Sequence, residues 1–243
     1  MKKCVIPVVM FLGVLLPALA TAGEAEVRSA LKELDPHAPI QSVKHSKVSG
    51  LYEVLIGADI YYVTGDGKYI ISGDIYESRS RTNLTALARG QVYLQRVNAV
   101  GEGSMIIYEP RKVKQTLTVF TDVDCPYCRK FHKDLPQHLK KGIRIRYVMF
   151  PLQGLQASTY KKSVSVWCSD DRNKALDTAK SGGTLKNKEC KNPVADNLAL
   201  ARSLGISSTP TLMTQEGIIL PGYLPPAELA TRLGLTAPSQ ARK

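Results

Sequence analysis

Residues 117–128 read LTVFTDVDCPYC, and this stretch decides the fold of the second half of the chain. Its first six residues form an apolar run typical of a buried strand. Pro126, after the turn, suits the first position of a helix. The motif Cys125-Pro126-Tyr127-Cys128 therefore stands between a strand and a helix. Unpaired backbone N–H groups and the helix dipole stabilise an anion at such a point, so we expect the pKa of the Cys125 thiol to lie below that of free cysteine.

The two cysteines of this motif differ in their position along the predicted helix. Cys128 lies one turn further in, close enough to form a disulfide with Cys125, and we expect it to be more enclosed and less reactive. A disulfide at a helix start is strained and reducible, which favours a redox-active pair. A structural disulfide and a partial zinc site with His132 remain as alternatives. Covalent haem would need histidine directly after Cys128, where Arg129 stands.

Strands and helices alternate through the rest of this half. We predict strands at 117–122 and 143–150, a hairpin of strands at 211–214 and 217–220, and helices at 126–140, 156–168, 172–180, 193–204 and 225–233. The β-α-β order, followed by a hairpin and a helix, predicts an α/β sandwich with a central sheet.

The first half of the chain has the pattern of a small α+β domain. A helix is predicted at 24–34 and strands at 51–56, 60–63 and 69–72, with Gly65-Asp66-Gly67 as the turn between the last two. A domain of about 60 residues is marginal by itself, and its exposed strand edges could pair across a two-fold axis. We therefore expect this domain to dimerise.

A helix predicted at 84–100 separates the two halves. Leu84, Leu87 and Val92 recur at helical spacing, and a Gly-Glu-Gly exit follows. We interpret this helix as a connector between domains, while packing within one domain is the alternative. The predicted divisions of the chain are residues 1–22, 23–83, 84–112 and 113–243.

Residues 1–22 have the features of a secretory signal peptide. Two lysines precede an apolar run at 5–19, and Ala20-Thr21-Ala22 offers a cleavage site. The run is too short for a membrane span and contains two prolines. Cleavage is expected after Ala22, with Ala20 as the alternative. It removes Cys4 and leaves four cysteines in an oxidising compartment, with no membrane insertion of the mature chain.

The remaining cysteines, Cys168 and Cys190, lie at helix or loop boundaries and enclose a polar, glycine-containing segment. We predict a structural disulfide between them. In the chain-entropy model, such a bridge would stabilise the fold by about 3 kcal/mol. A second redox pair is the alternative.

Composition excludes several classes of protein. A chain of 243 residues with 44% hydrophobic and 22% charged residues is globular rather than disordered. Five cysteines are too few for a disulfide-dense mini-protein. The net charge of +12 could suit nucleic acid, but the sequence has no nucleic-acid-binding motif, so we expect no such partner.

Over essentially the whole mature chain, the sequence resembles the DsbC family of periplasmic thiol:disulfide isomerases. The resemblance rests on VFTD at 119–122 leading into the cysteine motif, FPLQGL at 150–155, WC at 167–168, STP at 208–210, PGY at 221–223 and YIISGDIY at 69–76.

The resemblance implies a periplasmic homodimer with an N-terminal dimerisation domain, a linker helix and a C-terminal thioredoxin fold with a helical insertion. It makes Cys125 the nucleophile and Cys128 the second active-site cysteine. Thr209-Pro210 is identified as a cis-proline loop that binds substrate together with Pro126-Tyr127. The implied substrates are misfolded, disulfide-containing exported proteins, and the implied partner is a DsbD-type membrane reductase. No organic cofactor or metal is expected.

One residue departs from the family pattern. DsbC of the usual type has glycine where this chain has Pro126, and proline is familiar from the sister family, DsbG. DsbG generally lacks a pair matching Cys168 and Cys190, so the rest of the chain favours DsbC. We predict a disulfide isomerase and reductase with chaperone activity. A DsbG-like reductase of sulfenylated cysteines and a dimeric redox chaperone are the alternatives.

Overall fold

The computed structural model describes residues 22–235, which divide into two compact units. The first unit contains residues 22–56 and 61–71, and the second contains residues 57–60 and 72–235. The predicted signal peptide, apart from its last residue, lies outside the described residues. Between residues 22 and 235, no helix is long and apolar enough to cross a membrane.

The first unit packs one helix against a four-stranded sheet. The elements are α1 (Ala22–Leu34), β1 (Ile40–His45), β2 (Leu51–Ile56), β3 (Asp59–Thr64) and β4 (Ile70–Ser72), and the sheet order is β1-β2-β3-β4. Val27 and Leu31, one helical turn apart, bury their side chains with Val43, Val54 and Val63. The sequence analysis missed β1 because only Val43 of its six residues is fully buried, which leaves little alternation to detect.

The second unit contains a five-stranded mixed sheet with helices around it. Its elements are β5 (Tyr76–Glu77), β6 (Thr82–Asn83), α2 (Leu84–Val100), β7 (Ile106–Tyr108), β8 (Gln115–Thr121), α3 (Pro126–Lys133), α4 (Leu135–Lys140), β9 (Ile143–Met149), α5 (Ser158–Trp167), α6 (Arg172–Lys180), α7 (Val194–Ser203), β10 (Thr211–Met213), β11 (Ile219–Pro221) and α8 (Pro226–Arg232). The large sheet has the order β11-β10-β8-β9-β7. Its central pair, β8 and β9, is parallel, and the other neighbours are antiparallel.

Both faces of the central strands are buried. Leu117, Val119 and Tyr147 belong to one hydrophobic cluster, while Phe120 and Val148 belong to another. Side chains alternate between the two faces of a strand, and helices cover both faces of this sheet. This burial explains why the sequence of β8 has the pattern of a buried strand, while β9 begins with apolar residues alternating with Arg144 and Arg146.

The prediction of one helix at 126–140 was wrong, because two helices, α3 and α4, meet at Asp134. Pro136 lacks a backbone N–H and its ring clashes with the carbonyl four residues earlier, so a continuous helix ends before it. The short edge strand β7 was also missed, since three residues are too few to show a period.

Helix α2 has the predicted bounds and packs within the second unit. The Asn83 side chain accepts a hydrogen bond from Ala86 N and caps its first turn. Tyr93 and Val97 are buried in the cluster that contains Phe120. The role of residues 84–112 as a connector stays a prediction.

Gly90 of α2 lies directly against Gly217, which allows a sharp test of this packing. At Gly217, φ is +83°, and a Cβ would overlap the carbonyl oxygen of Gly90. At Gly205, φ is +69° and a Cβ would meet no atom within 4 Å. We expect Gly205→Ala to lower the free energy of unfolding by about 1 kcal/mol for its backbone conformation alone. Gly217→Ala should lower the free energy of unfolding by about 1–3 kcal/mol more than this, because its Cβ overlaps Gly90. If urea unfolding gave the same loss of free energy for both variants, that result would contradict the observed packing.

Candidate active site

Cys125 and Cys128 lie where β8 ends and α3 begins. Cys125 is the N-cap residue of α3, and Pro126 is its first helical residue. Both cysteines are free thiols; Cys125 is half-buried and Cys128 is fully buried. The strand–turn–helix position expected from the sequence therefore places one sulfur at the surface and the other beneath it.

Local hydrogen bonds favour a thiolate at Cys125. The Cys128 thiol donates to the Cys125 sulfur and contributes most to lowering its pKa to about 5. Burial opposes this effect, while Thr209 and the backbone N–H groups of Cys128 and Tyr127 support it. The backbone donors belong to the first turn of α3, as expected for an anion at a helix N-terminus.

The environment of Cys128 favours the protonated thiol instead of the thiolate. Burial raises the pKa of the Cys128 thiol, and its hydrogen bond to the Cys125 sulfur raises it further. Only the thiolate is a nucleophile. At neutral pH, Cys125 can therefore attack a disulfide, while Cys128 holds its proton.

The sheet brings the Thr209-Pro210 loop beside these sulfurs. The peptide bond between the two residues is cis. Strand β10 starts directly after the loop, and Thr211 pairs with Phe120 near the end of β8. The Cys125 sulfur lies 3.2 Å from the Thr209 carbonyl oxygen, to which the protonated thiol donates.

A groove of about 360 Å³ lies next to Cys125. Pro126, Leu152 and Thr209 line part of it. Tyr127, also in the motif, keeps 62% of its surface exposed. The groove thus presents apolar side chains and backbone beside the reactive sulfur, a surface suited to an extended peptide.

The buried Asp122 carboxylate organises one side of this groove. One of its oxygens accepts from Asp124 N at 2.9 Å, and the other accepts from Leu152 N at 2.9 Å. These bonds join the turn before α3 to the loop after β9. The sequence analysis quoted Asp122 only as part of a motif and did not assign it this role.

His132 belongs to a polar cluster with Tyr147 and Asp177. Its Nδ1 lies 3.1 Å from the Tyr147 hydroxyl, and its Nε2 lies 2.9 Å from an Asp177 oxygen. Burial lowers the pKa of His132, which favours the neutral ring. Both ring nitrogens are thus engaged with partners outside the Cys125–Cys128 motif.

Cys168 and Cys190 are joined by a disulfide. Cys168 ends α5, and Cys190 lies in the loop before α7. The covalent loop that they close contains the whole of α6. The two cysteine pairs therefore lie in different places, one free and one bonded.

Lys180 is a residue near the site that the sequence analysis missed. It ends α6, its surface is only 3% exposed, and its Nζ donates to Thr121 Oγ1 and to the Asp122 carbonyl. A basic residue in the last turn of a helix is ordinary, since it interacts favourably with the helix dipole. No local signal in the sequence distinguishes this lysine from the exposed ones.

The hydrogen bond between the two thiols can be tested with a matched pair of variants. Cys128→Ala removes the donor, and we expect it to raise the pKa of Cys125 by about one to two units. Cys128→Ser retains a hydroxyl donor and should keep the pKa closer to its wild-type value of about 5. The measurement is the rate of alkylation of Cys125 as a function of pH. Identical midpoints for the two variants would show that the bond does not control the thiolate.

Two family models match the chain. The thioredoxin-like domain matches residues 102–236, and the N-terminal domain of the disulfide bond isomerase protein matches residues 18–86. These matches, together with the mixed helices and strands, confirm the predicted fold class: an N-terminal α+β domain and a thioredoxin fold.

Named relatives match most of the chain. A thiol:disulfide interchange protein DsbC from Salmonella typhimurium is 36% identical over 215 residues, which are 87% of each chain. DsbC from Dickeya dadantii is 32% identical and covers 96% of this chain and 95% of its own. The structure of a disulfide interchange protein from Neisseria gonorrhoeae aligns with a TM-score of 0.50 and 27% identity, covering 56% of this chain and 99% of that one. With its free Cys125–Cys128 pair at the start of a helix, the chain belongs to the DsbC family of thiol:disulfide interchange proteins.

Proposed function

We propose that this protein rearranges incorrect disulfides in exported proteins through a mixed disulfide on Cys125. The observation that carries the proposal is the difference between its two free sulfurs. Cys125 is half-buried, with a pKa lowered to about 5, and Cys128 is buried, with a raised pKa. A stable thiolate beside an open groove suits attack on a protein disulfide.

The proposed reaction begins with the Cys125 thiolate. It attacks one sulfur of a substrate disulfide, forms a Cys125–substrate bond and releases the other substrate sulfur as a thiolate. A different substrate thiolate can then attack the mixed disulfide, which forms a new substrate disulfide and restores Cys125 without net oxidation. If Cys128 attacks instead, the substrate leaves reduced by two electrons and the Cys125–Cys128 pair is oxidised.

The Thr209-Pro210 loop is proposed to hold the substrate. The carbonyl of Thr209 lies beside the Cys125 sulfur, and a backbone of this kind can pair with an extended peptide. Pro126, Tyr127 and Leu152 offer apolar contacts next to it. Backbone pairing accepts many sequences, as an enzyme that acts on many misfolded proteins requires.

Membership of the family supports a proposal for the assembly and the compartment. We propose a homodimer joined through the N-terminal domain, which matches the isomerase N-terminal family at residues 18–86. The signal peptide predicted at residues 1–22 supports a periplasmic location. A DsbD-type membrane reductase is proposed to return the oxidised pair to thiols, and accompanying chaperone activity is expected from the apolar groove.

Pro126 supports a second candidate function. It follows the nucleophile directly, at the position where DsbG, the sister family, has proline. A DsbG-like enzyme would reduce sulfenylated cysteines rather than rearrange disulfides. Relative rates on a sulfenylated protein and on scrambled ribonuclease distinguish the two functions, and faster turnover of the sulfenylated protein would favour this one.

Variants of the two cysteines test the main proposal on scrambled ribonuclease. We expect Cys125→Ser to abolish the recovery of ribonuclease activity, because the attacking thiolate is lost. Cys128→Ala should instead accumulate mixed disulfides, since the second thiol that resolves them is missing. The mass of each assembly should equal that of the wild type, which controls for altered association. Full activity of the Cys125→Ser variant would overturn the proposal.

A further inference from the structure

The Lys180 ammonium group is buried at the end of β8, where both active-site sulfurs interact with it electrostatically. Its Nζ donates to Thr121 Oγ1 at 2.7 Å and to the Asp122 carbonyl oxygen at 2.6 Å. Both acceptors belong to the end of β8 and the turn that leads into the cysteine motif. The Thr121 hydroxyl and the Asp122 backbone also hydrogen-bond to Cys128. A positive charge and the buried thiol therefore share the same two residues.

This charge has no carboxylate in direct contact. In the described part of the chain, no carboxylate oxygen lies within salt-bridge distance of Lys180 Nζ. The Asp122 carboxylate acts on it only from further away, and both of its oxygens are bound to backbone N–H groups. A buried ammonium that has hydrogen bonds but no anionic partner is costly, so an anion that forms nearby is favoured.

The charged and titratable groups around Lys180 indicate which of them can become the compensating anion. Cys128, Asp122, Cys125 and Arg129 act on its charge, and Lys180 in turn lowers the pKa of the nearby His132. Of these, Cys128 is the strongest electrostatic partner, and Lys180 in turn lowers the pKa of Cys128 against the effect of burial. The Cys128 thiolate is therefore the anion best placed to compensate the ammonium.

We propose that Lys180 is a positioning residue for the resolving step, in which its ammonium group, acting beside the Thr121 hydroxyl, stabilises the Cys128 thiolate that displaces substrate from Cys125. The inference rests on the proposed function, since it concerns the second half of that cycle. It assigns a task to a helix, α6, that contributes no residue to the cysteine motif.

The step balances without any further reactant. Cys128 Sγ loses its proton and attacks Cys125 Sγ, so that the Cys125–Cys128 bond forms and the bond from Cys125 to the substrate sulfur breaks. The substrate sulfur takes the electron pair, leaves as a thiolate and is protonated in place of Cys128. The cysteine pair is oxidised by two electrons, and the original substrate disulfide is reduced by two.

The charge of Lys180 gives this step a particular pH dependence. Burial is the main reason that the pKa of Lys180 is lowered to about 8, while the nearby sulfurs raise it. Below this pH, the ammonium is present and favours the Cys128 thiolate. As the pH rises through about 8, the proton leaves Lys180 and the stabilisation is lost.

Three variants of the full-length reduced protein separate charge from packing. Lys180→Met removes both the charge and the hydrogen-bond donor, whereas Lys180→Gln removes the charge and keeps an N–H donor. Lys174→Met is the control, because it also replaces lysine with methionine but at an exposed position of the same helix. The probe is oxidised glutathione, and the plateau rate at saturating concentration reports how fast Cys128 releases glutathione from Cys125.

We expect both Lys180 variants to resolve the mixed disulfide more slowly than the wild type at pH 7. The loss should be about threefold for each unit by which the pKa of Cys128 rises, because the thiolate fraction falls tenfold while its intrinsic nucleophilicity increases. The difference from the wild type should shrink as the pH rises above about 8. Lys174→Met should follow the wild type at every pH.

Other outcomes overturn the inference. Wild-type rates in both Lys180 variants would show that the charge is not used. A loss in Lys180→Met that Lys180→Gln restores, or a loss that is equal at all pH values, would assign Lys180 a packing role. If Lys180→Met does not fold, the pH profile of Lys180→Gln alone distinguishes a role of the charge from a packing role. Failure of the wild type itself to form the glutathione adduct would instead refute the proposed function, and the inference with it.

Discussion

The hydrogen bond from the buried Cys128 thiol to the Cys125 sulfur is the interaction on which the site depends. It needs one sulfur at the N-cap of α3 and the other one turn inside, which the end of β8 and Pro126 arrange. The bond lowers the pKa of Cys125 and raises that of Cys128. Two identical side chains thereby acquire opposite pKa shifts, as the proposed roles of attack and resolution require.

The rest of the second unit surrounds this pair from two directions. The pairing of β10 with β8 brings Thr209 to the exposed sulfur, on the side open to the groove. The inserted helix α6 brings Lys180 to the buried side, where it contacts the end of β8. The disulfide between Cys168 and Cys190 closes the segment that contains α6. One cysteine pair thus closes the segment whose helix places a buried lysine near the other pair.

Much of the fold could be predicted because the signals are local. The apolar run of β8, the proline at the start of α3 and the periodicity of α2 are each visible within a few residues. The errors have local causes as well. Pro136 divides a helix whose apolar pattern continues across it, and the strands β1 and β7 are too little buried or too short to show alternation.

The sequence by itself determined that a Cys-Pro-Tyr-Cys motif joins a strand to a helix, and hence that Cys125 meets the first turn of α3. That follows from backbone geometry over a dozen residues. Only the tertiary structure decided which distant groups lie next to the sulfurs. Thr209 meets the Cys125 sulfur through strand pairing, across 84 residues of sequence. Lys180 meets Thr121 at the end of β8 through helix packing, across 59 residues. Neither contact can be read from the periodicity of the sequence. Residue spacing shows which side chains share one face of a helix or strand, but not which other element packs against that face.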